Sequence, residues 1–235
     1  MSPIQFFILQ LIAHVLADFF FQSDRLAIQK NELGFRSPFL KWHILIVFLL
    51  SWLLSFQMTF VFGALIIALM HYLIDGLKPW VNKSKSLGKY AFFIDQGLHI
   101  IVLSGVCYAY ASYASLDAWF NIPGSKSFLL VVFCYMLCLK PANIFIKEVF
   151  RAYEIKVPGS DDLPNAGKLI GVLERVLVLT FILFRQFEAV GFLIAAKSIL
   201  RYKNDDTIKT EYVLIGTMLS FGIAVLLGLL IGFVW

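Results

Sequence analysis

Four histidines carry the chemistry of this sequence: His14, His43, His71 and His99, all within the first hundred residues. Three of them have an aspartate four positions away, as His14 with Asp18, His71 with Asp75, and Asp95 with His99. The chain has nine Asp, so a given His would meet one at that spacing by chance roughly 8% of the time, and three in four is improbable. Four residues make about one helical turn, which sets each pair on one helix face. Neutral imidazole with carboxylate suits a divalent transition metal, zinc first, with manganese or iron as alternatives, and no thiolate accompanies them. Such an ion with an open position brings the pKa of bound water toward about 7. The expected metal ligands are His14, Asp18, His43, His71, Asp75, Asp95 and His99. Whichever of Asp18, Asp75 and Asp95 stays unligated serves as catalytic base. The competing structural reading is that the same groups hydrogen-bond one another and lock helices together.

The elements that must position these residues are membrane helices. Of 235 residues 60% are apolar and 15% charged, against roughly 25% charged in soluble domains. The expected fold is an all-α, polytopic transmembrane bundle. Its eight segments fall near 4 to 22, 39 to 55, 58 to 78, 90 to 112, 127 to 150, 168 to 184, 187 to 203 and 210 to 235. The sixth and seventh are short and meet at Arg185 and Gln186, so two full crossings and a re-entrant hairpin both stay open. No basic residue precedes Arg25, so the first segment reads as a retained helix rather than a cleaved leader. Lys and Arg cluster at 23 to 41, 78 to 89, 147 to 168 and 201 to 209 and are absent near Gln57 and over 113 to 125. That alternation puts both termini outside. His14-Asp18 recurs as His71-Asp75 at an offset of 57, and His43 as His99 at 56, so the first four helices read as a duplicated hairpin. In this arrangement His14, His71 and His99 lie about 12 to 13 Å from the cytoplasmic end. A charged group in hydrocarbon costs several kcal/mol unless paired, and a cation compensates several at once. Gln22 and Gln96 flank the set as supporting donors or interface residues rather than ligands. Two halves are expected, 1–115 with the His/Asp cluster and 116–235.

The second half carries a basic and acidic set at the cytoplasmic side. Lys140, Asn143, Lys147, Arg175, Lys197 and Arg201 could cradle a phosphate or lipid headgroup. The alternative is that Glu174, Arg175 and Lys197 pair internally while Lys147 and Arg201 reach the interface. Cys134 and Cys138, four apart in an apolar helix, read as packing residues. The stretch 157–168 lacks the glycine spacing of a phosphate loop. The net charge of +5 is spread over short clusters, which fits membrane lipids as partners and not nucleic acid.

The motifs His14-Val-Leu-Ala-Asp18-Phe-Phe-Phe-Gln22, His71-Tyr-Leu-Ile-Asp75-Gly-Leu-Lys78 and Asp95-Gln96-Gly-Leu-His99, with the later Gly171-Val-Leu-Glu174-Arg175 and Lys197-Ser198-Ile-Leu-Arg201, resemble a family of bacterial inner-membrane proteins known as a domain of unknown function. The resemblance spans nearly the whole chain and implies an inner-membrane location without an activity. A looser similarity of style links it to membrane-bound metal-dependent hydrolases. The expected function is therefore a membrane metalloprotein, a hydrolase acting on a lipid-like or phosphorylated substrate at the cytoplasmic side. A metal- or proton-coupled transporter is the alternative, though the outer halves of the first four helices read as apolar. A non-catalytic scaffold is the third reading.

Overall fold

The computed structural model describes residues 1–118, 126–155, 166–201 and 207–234, with side chains described throughout these except at 200, 201, 207 to 209 and 234. The chain forms two compact units, Met1–Phe133 and Cys134–Trp235, and every described element is helical.

In the first unit, α1 (Pro3–Val15) runs into a π-helical turn over Leu16–Phe20, followed by α2 (Asp24–Leu33), α3 (Pro38–Ser55), α4 (Val61–Lys83) and α5 (Ala91–Tyr113). Ser2 and Gln5 close a capping box on α1 and Pro3 opens its first turn, satisfying amide groups that a helix start leaves orphaned. The helices α1, α3, α4 and α5 pack as a ring, α1 on α3, α3 on α4, α4 on α5 and α5 back on α1. The distribution of residues on α4 is that of a bundle in lipid. Gly63, Ala64, Ile67, Ala68, His71, Asp75 and Gly76 face inward, while Phe62, Leu65, Ile66 and Leu69 are exposed. Small residues inside let helices approach closely, and large apolar ones outside meet acyl chains. The far end of the ring is sealed by Phe6, Phe60 and Tyr110, whose ring centroids are 4.8 to 5.5 Å apart.

Two local features determine where the functional groups point. The π turn, marked by the Phe21 amide donating to the Leu16 carbonyl at 2.8 Å, re-aims Asp18 relative to the face set by Gln10 and His14. Pro79 lies inside α4, so the Asp75 carbonyl lacks its intrahelical donor. The segment expected as a basic loop after the first helix is instead the short helix α2, capped by Ser23. It ends at Gly34 with φ 53°, where an added Cβ would lie 2.4 Å from the Gly76 carbonyl oxygen. Only glycine allows both that backbone and that approach, and it docks α2 on α4 beside Asp75.

The second unit contains the end of α6 (Lys126–Cys138), then α7 (Lys140–Ala152), α8 (Ala166–Leu183), α9 (Phe187–Arg201) and α10 (Thr207–Val234). α8 packs against α10, α9 and α7, and α7 also meets α10. The fifth segment, expected as one helix over 127–150, is broken at Leu139 (φ −81°, ψ −124°) and bent by 48°. Pro141 removes an amide in the first turn of α7, which stops α6 from continuing.

Five helical stretches are long and apolar enough to cross a membrane, Pro3–Phe20, Pro38–Ser55, Met58–Lys83, Gly88–Tyr113 and Thr210–Phe233, or six with the bent pair as one span. That is the build of a multi-pass membrane protein. α8 and α9 are not among them. α8 carries Lys168, Glu174 and Arg175 within 18 residues, and α9 has 15 residues.

Candidate metal centre

All seven residues expected from the sequence converge inside the first unit, each between 0 and 7% exposed. α1 supplies His14, the π turn Asp18, α3 His43, α4 His71 and Asp75, and α5 Asp95 and His99. At the centre, His43 Nε2 and His71 Nε2 are 3.1 Å apart, and Asp18 Oδ1 lies 3.3 Å from the first and 3.2 Å from the second. Metal bonds of about 2.1 Å span about 3.4 Å between tetrahedral neighbours and about 3.0 Å between octahedral neighbours. The triangle of two imidazoles and one carboxylate falls between these values. Asp75 Oδ2 stands on its other side, 3.5 Å from His43 Nε2 and 3.4 Å from His71 Nε2. Three overlapping groups could each hold an ion, with donor atoms within 4.8 Å of one another: His14 with Asp18 and His71; His43 with His71 and Asp75; and Asp75 with Asp95 and His99.

Two lysines complete the cluster and correct the reading of both as loop charges. Lys30 of α2 donates to Asp75 Oδ2 at 2.7 Å, the two side chains being 3% and 1% exposed. Lys78, one turn beyond Asp75 on α4, donates to Asp95 Oδ2 at 2.8 Å. Both ammoniums are withdrawn from bulk solvent to neutralise buried carboxylates. Three carboxylates against two ammoniums leave one negative charge if the imidazoles are neutral. Asp18 carries it, having no lysine partner. Gln96 fixes the remaining geometry. Its Nε2 donates to Asp18 Oδ2 at 3.0 Å and to Asp95 Oδ2 at 3.3 Å, and its Oε1 faces His14 Nε2 at 3.3 Å. The Gln22 amide donates to the backbone carbonyl of Asp18 at 2.9 Å.

Several buried polar atoms lack a hydrogen-bond partner: Asp18 Oδ1, His43 Nδ1, Asp75 Oδ1, Asp95 Oδ1 and both nitrogens of His99. Interiors rarely leave such groups unsatisfied, and here they cluster. Toward the far end a cavity of about 20 Å³ is lined by His14, His71, His99, Gln10 and Ser51 among others, room for roughly one water. From the cavity wall outward the helices are not wholly apolar. Gln10 and Ser51 bond reciprocally at 2.9 and 2.6 Å, clamping α1 to α3. Further out, Tyr110 donates to Gln57 at 2.8 Å and meets Thr59 at 2.6 Å.

In the second unit the expected headgroup residues do not form one open cradle. Arg175 is 1% exposed and spends its guanidinium internally. Its Nε donates to the Cys138 carbonyl at 2.8 Å, Nη1 to Ser220 at 2.9 Å and Nη2 to Asn143 at 2.6 Å. Cys138 ends α6, so this cation sits where the helix dipole is negative. Lys197 is tied to Glu174 at 2.6 Å. Lys147 is exposed and Lys140 half-buried at the start of α7. The Arg201 side chain, like the stretch 156–165 and the basic residues Lys203 and Lys209, lies outside what the structure describes. Cys134 and Cys138 are buried free thiols.

Fold and cluster together define a helical membrane-protein architecture with a preassembled His, Asp and Lys centre in its N-terminal unit. The chain belongs to the family described as "Protein of unknown function (DUF3307)", whose model matches residues 6–123. The match contains every residue of the cluster and ends before the motifs at Gly171 and Lys197. No curated protein and no solved structure matches the chain.

Proposed function

We propose that the protein is an inner-membrane metalloenzyme in which His43, His71 and Asp18 hold a divalent transition metal, zinc before manganese or iron, with Asp75 beside them. The single observation that carries this reading is the triangle of donor atoms at 3.1, 3.2 and 3.3 Å. Three donor atoms at these mutual separations match the spacing of ligands around one ion. With neutral imidazoles one negative charge falls on Asp18 uncompensated, and a cation answers that charge directly.

An ion so placed supplies Lewis acidity and a nucleophile at neutral pH. Gln96 orients His14 and Asp18. Asp75 and Asp95, each anchored through Oδ2 and free at Oδ1, remain to accept a proton. The reaction proposed is hydrolysis of a lipid-like or phosphoester substrate at the cytoplasmic side. The membrane arrangement that goes with this reading has both termini outside, six crossings with α8 and α9 as a re-entrant hairpin or eight if both cross, and a first unit descended from a duplicated hairpin.

The test is elemental analysis of the purified full chain. Wild type is expected to carry a transition metal that His71→Ala loses, together with phosphoesterase activity that falls in parallel. A wild type that binds no such metal on titration overturns the reading. The transporter reading is favoured by one observation, the polar pair Gln10–Ser51 on the cavity wall and the pair Gln57–Tyr110 farther out. Uptake of radiolabelled metal into proteoliposomes would select it.

A further inference from the structure

His99 is 4% exposed, yet neither of its ring nitrogens has a hydrogen-bond partner. The carboxylate oxygen Asp18 Oδ2 lies 3.9 Å from its Nδ1, too long for a hydrogen bond. A buried imidazole whose two nitrogens have no protein partner keeps both positions available to a ligand. Asp75 Oδ1 and Asp95 Oδ1 are idle in the same way, and the three residues offer donor atoms within 4.8 Å of one another. In both carboxylates the other oxygen is already held by a lysine.

The His99 ring lies on the His71 ring, centroids 3.8 Å apart and planes 9° from parallel. A ligated ion sits in the plane of its imidazole, so ions on two parallel rings at that spacing come no closer than about 4 Å, a lower bound that admits the separation of two-metal sites. Asp75 belongs to both donor groups, turning Oδ2 toward His43 and His71 while Oδ1 is idle.

We infer that the centre is binuclear: a second divalent cation binds Asp75, Asp95 and His99, bridged to the first through the Asp75 carboxylate. This rests on the metal reading above and names the substrate class that goes with it. Two divalent ions and two lysine ammoniums against three carboxylates leave three positive charges in a buried site. Such an excess requires an anionic ligand. A phosphate monoester dianion removes two of them and can span ions about 4 Å apart. The second cation therefore enters together with phosphate, and the role of proton acceptor passes from Asp95 to His14 on the cavity wall.

The experiment is Mn(II) titration of the full chain in nanodiscs, read by bound metal per chain and by electron paramagnetic resonance. Three arms are run: zwitterionic lipid alone, the same lipid with inorganic phosphate, and lipid containing phosphatidic acid. One ion per chain in the first arm is expected, rising to two with a spin-coupled signal when phosphate is present. A rise with inorganic phosphate identifies free phosphate as sufficient, and a rise only with phosphatidic acid identifies a lipid phosphate. Asp95→Asn and, independently, His99→Gln should hold the count at one and abolish the coupling while the first ion stays bound. One ion in every arm for wild type overturns the binuclear assignment and leaves the single-metal reading standing. No bound ion in any arm overturns both.

Discussion

Replacing Lys30 by Met separates an ion-binding centre from a purely structural one. The Lys30 ammonium and the Asp75 carboxylate are 2.7 Å apart and nearly inaccessible. Removing one partner of a buried pair costs about 3 to 5 kcal/mol when nothing replaces it. An ion bound to His43, His71 and Asp18 does replace it. A divalent ion about 2 Å beyond the shared oxygen would stand about 5 Å from the ammonium. At an effective dielectric of about 20 their repulsion is about 6 to 7 kcal/mol. Even a fifth of that, after relaxation, corresponds to a tenfold change in affinity. Lys30→Met should therefore destabilise metal-stripped protein by about 3 kcal/mol or more, destabilise metal-loaded protein much less, and bind the ion at least tenfold more tightly. The assay is thermal unfolding of both forms in detergent with competition against a chelator of known affinity. Equal destabilisation with and without metal, or affinity unchanged or weakened, would refute the electrostatic reasoning.

Other expectations follow from the same geometry. Gln96→Leu removes the donor to Asp18 and the partner of His14 and should weaken metal binding about tenfold to a hundredfold with helicity retained by circular dichroism. Ser51→Ala leaves Gln10 Oε1 buried without its donor and should lower stability by about 1 to 3 kcal/mol, with metal content per chain unaltered. Arg175→Met strands the Cys138 carbonyl, Asn143 and Ser220. It should destabilise the second unit by about 3 kcal/mol or more in protease-protection assays, and Arg175→Lys should not restore it, since an ammonium cannot serve three diverging acceptors.

The His and Asp positions were legible because a period of four and a common depth depend only on helical geometry. The lysines were harder. Lys78 stands three residues after Asp75, on the same face, and that spacing could have revealed it. Lys30 gave no such signal. Its burial comes from the fit of Gly34 against α4, a tertiary fact, and a basic cluster between apolar segments reads first as an orienting charge. Gln10 and Ser51 continue the faces of His14 and His43 outward by one and two turns, but as single uncharged residues amid apolar neighbours they carry no pattern of their own. The break at Leu139 was masked by the apolar run on either side, although Pro141 marks the place. Arg175 stood out as an intramembrane charge, but its partners are a carbonyl, an amide and a hydroxyl, which charge patterning cannot foresee.

The widened turn at Leu16–Phe20 puts fold stability and competence at odds. Such a turn carries one residue more than a regular helix needs. A chain shortened by one position there would recover ordinary backbone bonding and gain in thermal resistance. It would also rotate everything upstream, Gln10 and His14 included, out of step with Asp18. The extra residue, just past the end of α1, gives up backbone regularity for where Asp18 must point.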